Sequence, residues 1–182
     1  MNLFRKEFRL SGAGGQGLIL AGIILARAAG KEGYKVTQTQ SFGPESRGGA
    51  SRSDVIISNN EIYYPEAQTF DYLIALTQEA TDKYLFDLKE DGLLLIDTGY
   101  VKNLGMTVNN IVEVDLTATL LEKLGTTLPM NIVSLSIIAK LSGLVSNSAL
   151  ESAIKESLKP SLHDLNIKAM KLGLEIADQS KN

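Results

Sequence analysis

Cysteine is absent from the 182 residues. The chain therefore supplies no disulfide, no thiolate nucleophile and no iron–sulfur ligand of its own, and it reports nothing about redox compartment. Histidine is almost as scarce, with His163 the only one. It falls in a C-terminal helical pattern beside Asp164, without metal-ligand spacing around it, so a satisfied surface residue is expected there. No Ser–His–Asp order can be assembled from it. An excess of positive charge is missing too: 18 Lys and Arg stand against 21 Asp and Glu, a net charge of −3. This argues against a dedicated nucleic-acid binder, which would normally show a basic face, and the Lys and Arg are scattered without the aromatic interleaving of a single-strand platform.

Long hydrophobic runs are also lacking. The longest apolar-biased stretch, residues 18–29, is about 12 residues, short of the roughly 20 that cross a bilayer. The N-terminal MNLFRKEF is too short and too charged for the core of a secretion signal. The expectation is a cytoplasmic protein with no membrane partner. A hydrophobic content of 44% with 21% charged residues fits a soluble globular chain, read here as one domain over residues 1–182.

What the chain does have is a glycine loop, Ser11-Gly12-Ala13-Gly14-Gly15-Gln16-Gly17, set between a short apolar run and a long aliphatic one. Four glycines in six positions are costly in backbone entropy. They suit a chain that turns tightly out of a strand and brings bare amides close to an anion. Gly12, Gly14 and Gly17 match the G-x-G-x-x-G spacing of a strand–loop–helix phosphate cradle. The competing reading is that the glycines only let the helix pack closely on a sheet.

Taken in order, residues 7–11 read as a strand, and residues 18–29 as a small-residue helix able to approach a sheet. Residues 34–40 alternate and read as a second strand. Residues 53–58 and 61–64 flank Asn59-Asn60, a two-residue hairpin signal. Residues 71–77 give the strongest buried-strand pattern, with Thr77 placed to cap the next helix. Asp91-Gly92 reads as a turn into a buried run at 93–96, and residues 111–114 as a further short strand before a helix at 116–124. Asn131 is a candidate N-cap for an almost wholly apolar helix over 132–144. Two amphipathic helices, 148–158 and 161–177, are separated by Pro160. The sum is an α/β, Rossmann-like three-layer sandwich, with a mainly parallel sheet, an inserted β-hairpin and a helical C-terminal third.

A dinucleotide enzyme would place an acidic residue after the second strand for the ribose hydroxyls. The chain has Gln38, Thr39 and Gln40 there, which weakens that reading. The following run, residues 41–52, has no regular period and carries Arg47 and Arg52 among glycines and serines. Its composition suits either a plain connection or a binding loop held on a scaffold. Asp71, Asp97 and Asp115 lie at strand boundaries, where such residues more often cap turns and helices than ligate cations. No catalytic set and no metal set emerges.

The glycine loop and the run Ser41-Phe42-Gly43-Pro44-Glu45-Ser46-Arg47-Gly48-Gly49, at this distance from each other, resemble the gamma subunit of 2-oxoacid:ferredoxin (acceptor) oxidoreductases. The likeness extends over nearly the whole chain, through Ser53-Asp54-Val55, the Asp71 and Asp97 strands and the helix headed by Asn131. The resemblance implies an enzyme that turns a 2-oxoacid and coenzyme A into an acyl-CoA, carbon dioxide and reduced ferredoxin. It implies thiamine diphosphate and iron–sulfur clusters on alpha, beta or delta partner subunits, and none bound by this chain alone. The 2-oxoglutarate type looks closest, with the pyruvate, branched-chain and indolepyruvate types open.

Carried onto this sequence, Gly12, Gly14, Gly15, Gln16 and Gly17 would face a phosphate of coenzyme A in a shared site. Ser46, Arg47, Gly48 and Gly49 would form a loop docked near the thiamine-bearing chains, or Arg47 would be a structural arginine tied to Glu45 or Asp54. Two other readings stay open: a stand-alone Rossmann-like nucleotide-binding oxidoreductase, and an assembly module without a ligand. An apolar partner-facing surface would also favour a homodimer of the isolated chain.

Overall fold

A computed structural model describes residues 3–41 and 50–180. Its elements are β1 (Arg5–Ala13), α1 (Leu18–Lys31), β2 (Lys35–Ser41), β3 (Ala50–Ser58), β4 (Phe70–Ala75), α2 (Gln78–Tyr84), β5 (Leu88–Asp97), β6 (Asn110–Val114), α3 (Leu116–Leu124), α4 (Met130–Ser142), α5 (Asn147–Ser157) and α6 (His163–Gln179). The strands form one sheet in the order β2-β3-β1-β4-β5-β6. β1, β4, β5 and β6 are parallel neighbours, whereas β3 runs antiparallel to both β1 and β2. The expected α/β architecture, mainly parallel and helical in its last third, is the one formed.

The larger apolar core lies between one sheet face and α1, α3, α4, α5 and α6, built on Phe8, Leu10, Leu25, Val55, Leu95 and the buried length of α4. The smaller core covers the opposite face, where Leu73, Leu94 and Ile96 meet Ala80, Tyr84 and Leu85. Helices or loops on both faces explain why β4 and the end of β5 read as continuous apolar runs. The close approach expected of α1 is present at Gly22: a β-carbon there would lie 2.9 Å from Ser53 Cβ.

Three sequence expectations need correcting. Residues 61–64 are not a strand, and Asn59-Asn60 is not a hairpin turn between paired strands. The antiparallel element is β3, whose partners are β1 and β2, so the inserted hairpin is β2–β3. The segment after it instead lends backbone carbonyls to a distant side chain: Arg5 donates to Tyr64 O at 2.8 Å and Glu66 O at 3.0 Å. Asp91-Gly92 lies inside β5, where the register with β4 shifts, and does not precede the strand as a turn. Asn131 does not cap α4. Pro129 occupies the N-cap, and the Asn131 side chain is committed to the glycine loop. Among the described residues, no helix is long and apolar enough to cross a membrane.

Candidate functional site

The glycine loop joins β1 to α1 at the edge of the sheet where the parallel strands end. It lies at the switch point of the topology, since the chain passes to β2 and β3 on one side of β1 and to β4 on the other. Ligands of open α/β sheets bind in the crevice at such points. Gly15 and Gly17 take left-handed backbone conformations, φ 91° and 73°, which a side chain would resist. Gly17 is the N-cap of α1. Among the described residues no side chain caps that terminus, and its first turn holds no acidic residue. The first amides of a helix have no partner within it, and they carry the positive end of its dipole.

The loop is braced from within by Gln16, whose Oε1 accepts the Ala13 N–H at 2.7 Å. The same carboxamide occupies the space a side chain on Gly12 would need. Gly14 follows β1 directly, and Gly15 and Gln16 line a cleft of about 270 Å³ together with Tyr100, Thr117, Thr127, Leu128 and Met130. Tyr100 and Leu128 are 53% and 83% exposed, so the rim of the cleft is partly apolar and open.

Asp97, buried at the end of β5, shapes the far side of this cleft. Its carboxylate accepts Gly99 N at 2.9 Å, Leu116 N at 3.1 Å and the Thr117 hydroxyl at 3.2 Å. Burial pushes its pKa up, those donors oppose the shift, and the nearby Asp115 adds to it. Asp115 caps α3 through Ala118 N at 2.8 Å. Turn and helix capping is thus what both aspartates do. Asp71 differs: it accepts Lys6 and Lys89, each at 2.8 Å, at the opposite end of the sheet. His163 is satisfied by the carbonyls of Lys155 and Leu158, each at 3.0 Å. Among the described residues, no cluster of metal-ligating side chains forms.

Ser46, Arg47, Gly48 and Gly49 lie outside the described residues. The roots of their segment are described, and they flank the glycine loop. Ala50 pairs with Ala13, and Ser41 pairs with Arg52, which in turn pairs with Ser11. Sequence reasoning gave no hint of this, because strand register is a nonlocal property. Of the residues lining the cleft, it also missed Tyr100, Thr117, Thr127, Leu128 and Met130. No motif marks them; they converge only through the order of the strands.

Residues 7–176 match the family model for pyruvate ferredoxin/flavodoxin oxidoreductase. The chain belongs to this family. The 2-oxoglutarate synthase subunit KorC of Methanothermobacter marburgensis is 42% identical over 181 residues, covering 94% of this chain and 96% of the relative. The gamma subunit of keto/oxoacid ferredoxin oxidoreductase from Geobacter sulfurreducens matches with a TM-score of 0.88 and 43% identity, covering 97% of this chain and 98% of that one. The 2-oxoglutarate:ferredoxin oxidoreductase of Magnetococcus marinus, solved with 2-oxoglutarate, coenzyme A and succinyl-CoA bound, shares the fold at a TM-score of 0.85. It is 22% identical, and the match covers 96% of this chain and 31% of that one. Within the pyruvate ferredoxin/flavodoxin oxidoreductase family, this is a gamma-type subunit, and the free-standing dinucleotide enzyme is the less favoured reading.

Proposed function

We propose that the chain is the non-catalytic gamma subunit of a thiamine-dependent 2-oxoacid:ferredoxin oxidoreductase of the 2-oxoglutarate type, working in the cytoplasm. In this reading Gly12, Gly14, Gly15, Gln16 and Gly17 form one wall of the coenzyme A site. Alpha, beta and, where present, delta chains carry thiamine diphosphate and iron–sulfur clusters. A chain without cysteine could not hold such clusters by thiolates. The relatives named as 2-oxoglutarate synthase subunits support the substrate, and the ligands of the Magnetococcus enzyme support coenzyme A.

One observation carries the assignment of the loop. A helix start that no side chain among the described residues caps, with two left-handed glycines at its approach, opens on a cleft of about 270 Å³. That volume is below the range of about 300–1,000 Å³ in which a ligand of ordinary size is enclosed. The cleft suits one phosphate-bearing portion of coenzyme A, with the exposed Tyr100 and Leu128 left for a partner chain to cover. Anion binding here needs no charged side chain, because the amides and the helix dipole supply the attraction.

The test is a coenzyme A titration of the complex assembled with its alpha and beta subunits, wild type against Gly15→Val. The apparent affinity for coenzyme A is expected to fall about tenfold, the loss of one to two charge-assisted hydrogen bonds. An unchanged affinity in an intact complex would overturn the reading. The docking role of Ser46, Arg47, Gly48 and Gly49 is tested in the same assembly by Arg47→Ala. Weaker subunit association or a higher coenzyme A requirement supports that role, and movement in neither leaves the segment merely structural.

A further inference from the structure

We infer that Asn131 is a positioning residue that holds the glycine loop against α4, and so sets where the α1 amides point without itself touching ligand. The consequence for coenzyme A rests on the function proposed above; the mechanical link does not. Asn131 is only 6% exposed, and its Nδ2 donates to Gly17 O at 3.1 Å. That carbonyl also accepts Ala21 N at 3.0 Å, the first helical bond of α1. Asn131 therefore grips the joint at which the loop becomes a helix. Among the described residues, this is the one side-chain hydrogen bond reaching residues 14–17 from outside the loop.

The fit is mutual. A β-carbon on Gly17 would lie 2.7 Å from Asn131 Nδ2 and 3.1 Å from its Cγ. Gly17 is thus required twice, by its positive φ and by the carboxamide that fills its side-chain space. The residue before Asn131 matters equally. Met130 lines the cleft beside Gly15 and Gln16, so the first turn of α4 presents one side chain to the cleft and uses the next to clamp the loop. A buried Asn at the start of a helix ordinarily caps it. Here Pro129 has that position, which frees the amide for a partner 114 residues away.

A neutral hydrogen bond of this kind is worth roughly three- to tenfold in an equilibrium that depends on the geometry it fixes. Asn131→Ala is therefore expected to raise the KM for coenzyme A about three- to tenfold in the assembled complex. The KM for the 2-oxoacid and kcat at saturating coenzyme A should stay within about twofold. Asn131→Asp keeps the shape, removes the donor and adds negative charge beside the α1 N-terminus, so its effect should be larger.

Hydrogen exchange of amides 14–20 in the purified chain gives a readout independent of coenzyme A, and it should quicken in Asn131→Ala. Unchanged exchange in the folded Asn131→Ala chain would overturn the inference. So would a KM that moves in Gly15→Val but not in Asn131→Ala or Asn131→Asp. If exchange quickens while no variant, Gly15→Val included, changes the KM, the clamp is upheld and the coenzyme A reading falls.

Discussion

Arg9 and Asp54 face each other directly across the β1–β3 pair and form both possible guanidinium–carboxylate bonds, Nε to Oδ1 at 2.8 Å and Nη2 to Oδ2 at 2.7 Å. Both residues are buried, 4% and 6% exposed. The guanidinium also lies 4.0 Å from the centre of the Phe70 ring and 4.6 Å from that of Tyr84. β3 is the strand that departs from the parallel arrangement. A slip of β3 by one residue would turn Asp54 toward the larger apolar core and leave Arg9 buried without it, so the pair specifies the register. That register brings Ala50 beside Ala13 at the mouth of the glycine loop.

Removing Asp54 leaves the buried Arg9 with only the longer contact to the half-exposed Asp87, at 3.5 Å, and costs up to about 3–5 kcal/mol, the penalty of a buried charge that has lost its partner. Asp54→Ala should therefore destabilise the chain by about that amount in urea unfolding. The double variant Arg9→Met, Asp54→Leu should recover much of the loss, since apolar groups of similar size often replace buried ion pairs without penalty. If the double variant is as unstable as the single ones added together, the pair is not the unit proposed.

The same pair shows where reading by sequence reached its limit. Local signals placed β1, α1, β4 and α3 within a few residues and identified Thr77 and Asp115 as caps, because each depends on neighbours within a turn. Thr77 does accept Ala80 N, at 3.2 Å. The partner of β3 depends on Arg9, 45 residues from Asp54, and no local pattern records that. Asn131 failed as a cap for the same reason, its real partner being Gly17. The glycines of the site were legible as a motif; the other side of the cleft, contributed by Tyr100, Thr117 and Leu128, was not.

Asp71 makes stability depend on pH in a definite sense. Burial would raise its pKa, but Lys6, Lys89 and the Glu7 amide outweigh this and bring it below the usual value of 3.8. The stabilisation is therefore complete above pH 3.8 and is lost as pH falls through the lower native pKa. Both lysines are partly solvated, so Asp71→Asn should cost only about 1–2 kcal/mol at pH 7. The difference from wild type should shrink in acid. Chemical denaturation at several pH values checks it, and a difference that does not shrink as pH falls below 3.8 would contradict the assignment.

Asp97 carries the opposite sign. Its pKa is raised by burial, so the native state binds its proton more readily than the unfolded chain does. Its contribution is greatest below pH 3.8 and declines as pH rises through the native value. Asp97→Asn keeps an acceptor for the Gly99 and Leu116 amides, and should lie within about 1 kcal/mol of wild type at pH 7, gaining on it relative to acid. Asp97→Ala strands both amides and should cost about 2–4 kcal/mol. Equal losses for the two variants would show that the charge, and not the acceptor, is what the turn requires.

Gly12 and Gly15 are glycines for different reasons, and alanine should separate them. At Gly15 nothing among the described residues lies within 4 Å of an added β-carbon, and φ 91° is what opposes it. Gly15→Ala should therefore cost about 1–2 kcal/mol, the penalty of a left-handed backbone for an L residue. At Gly12 the backbone is ordinary, but the β-carbon would strike Gln16 Oε1 and approach Leu18 and Leu76 at 3.1 and 3.2 Å. Gly12→Ala should displace the Gln16 carboxamide from the Ala13 amide, with a loss of about 1–3 kcal/mol from crowding and the broken bond. Adding Gln16→Ala should relieve the crowding at Gly12 and do nothing for Gly15. Thermal unfolding of these four variants decides it, since equal relief at both glycines would mean that Gln16 does not occupy the space beside Gly12.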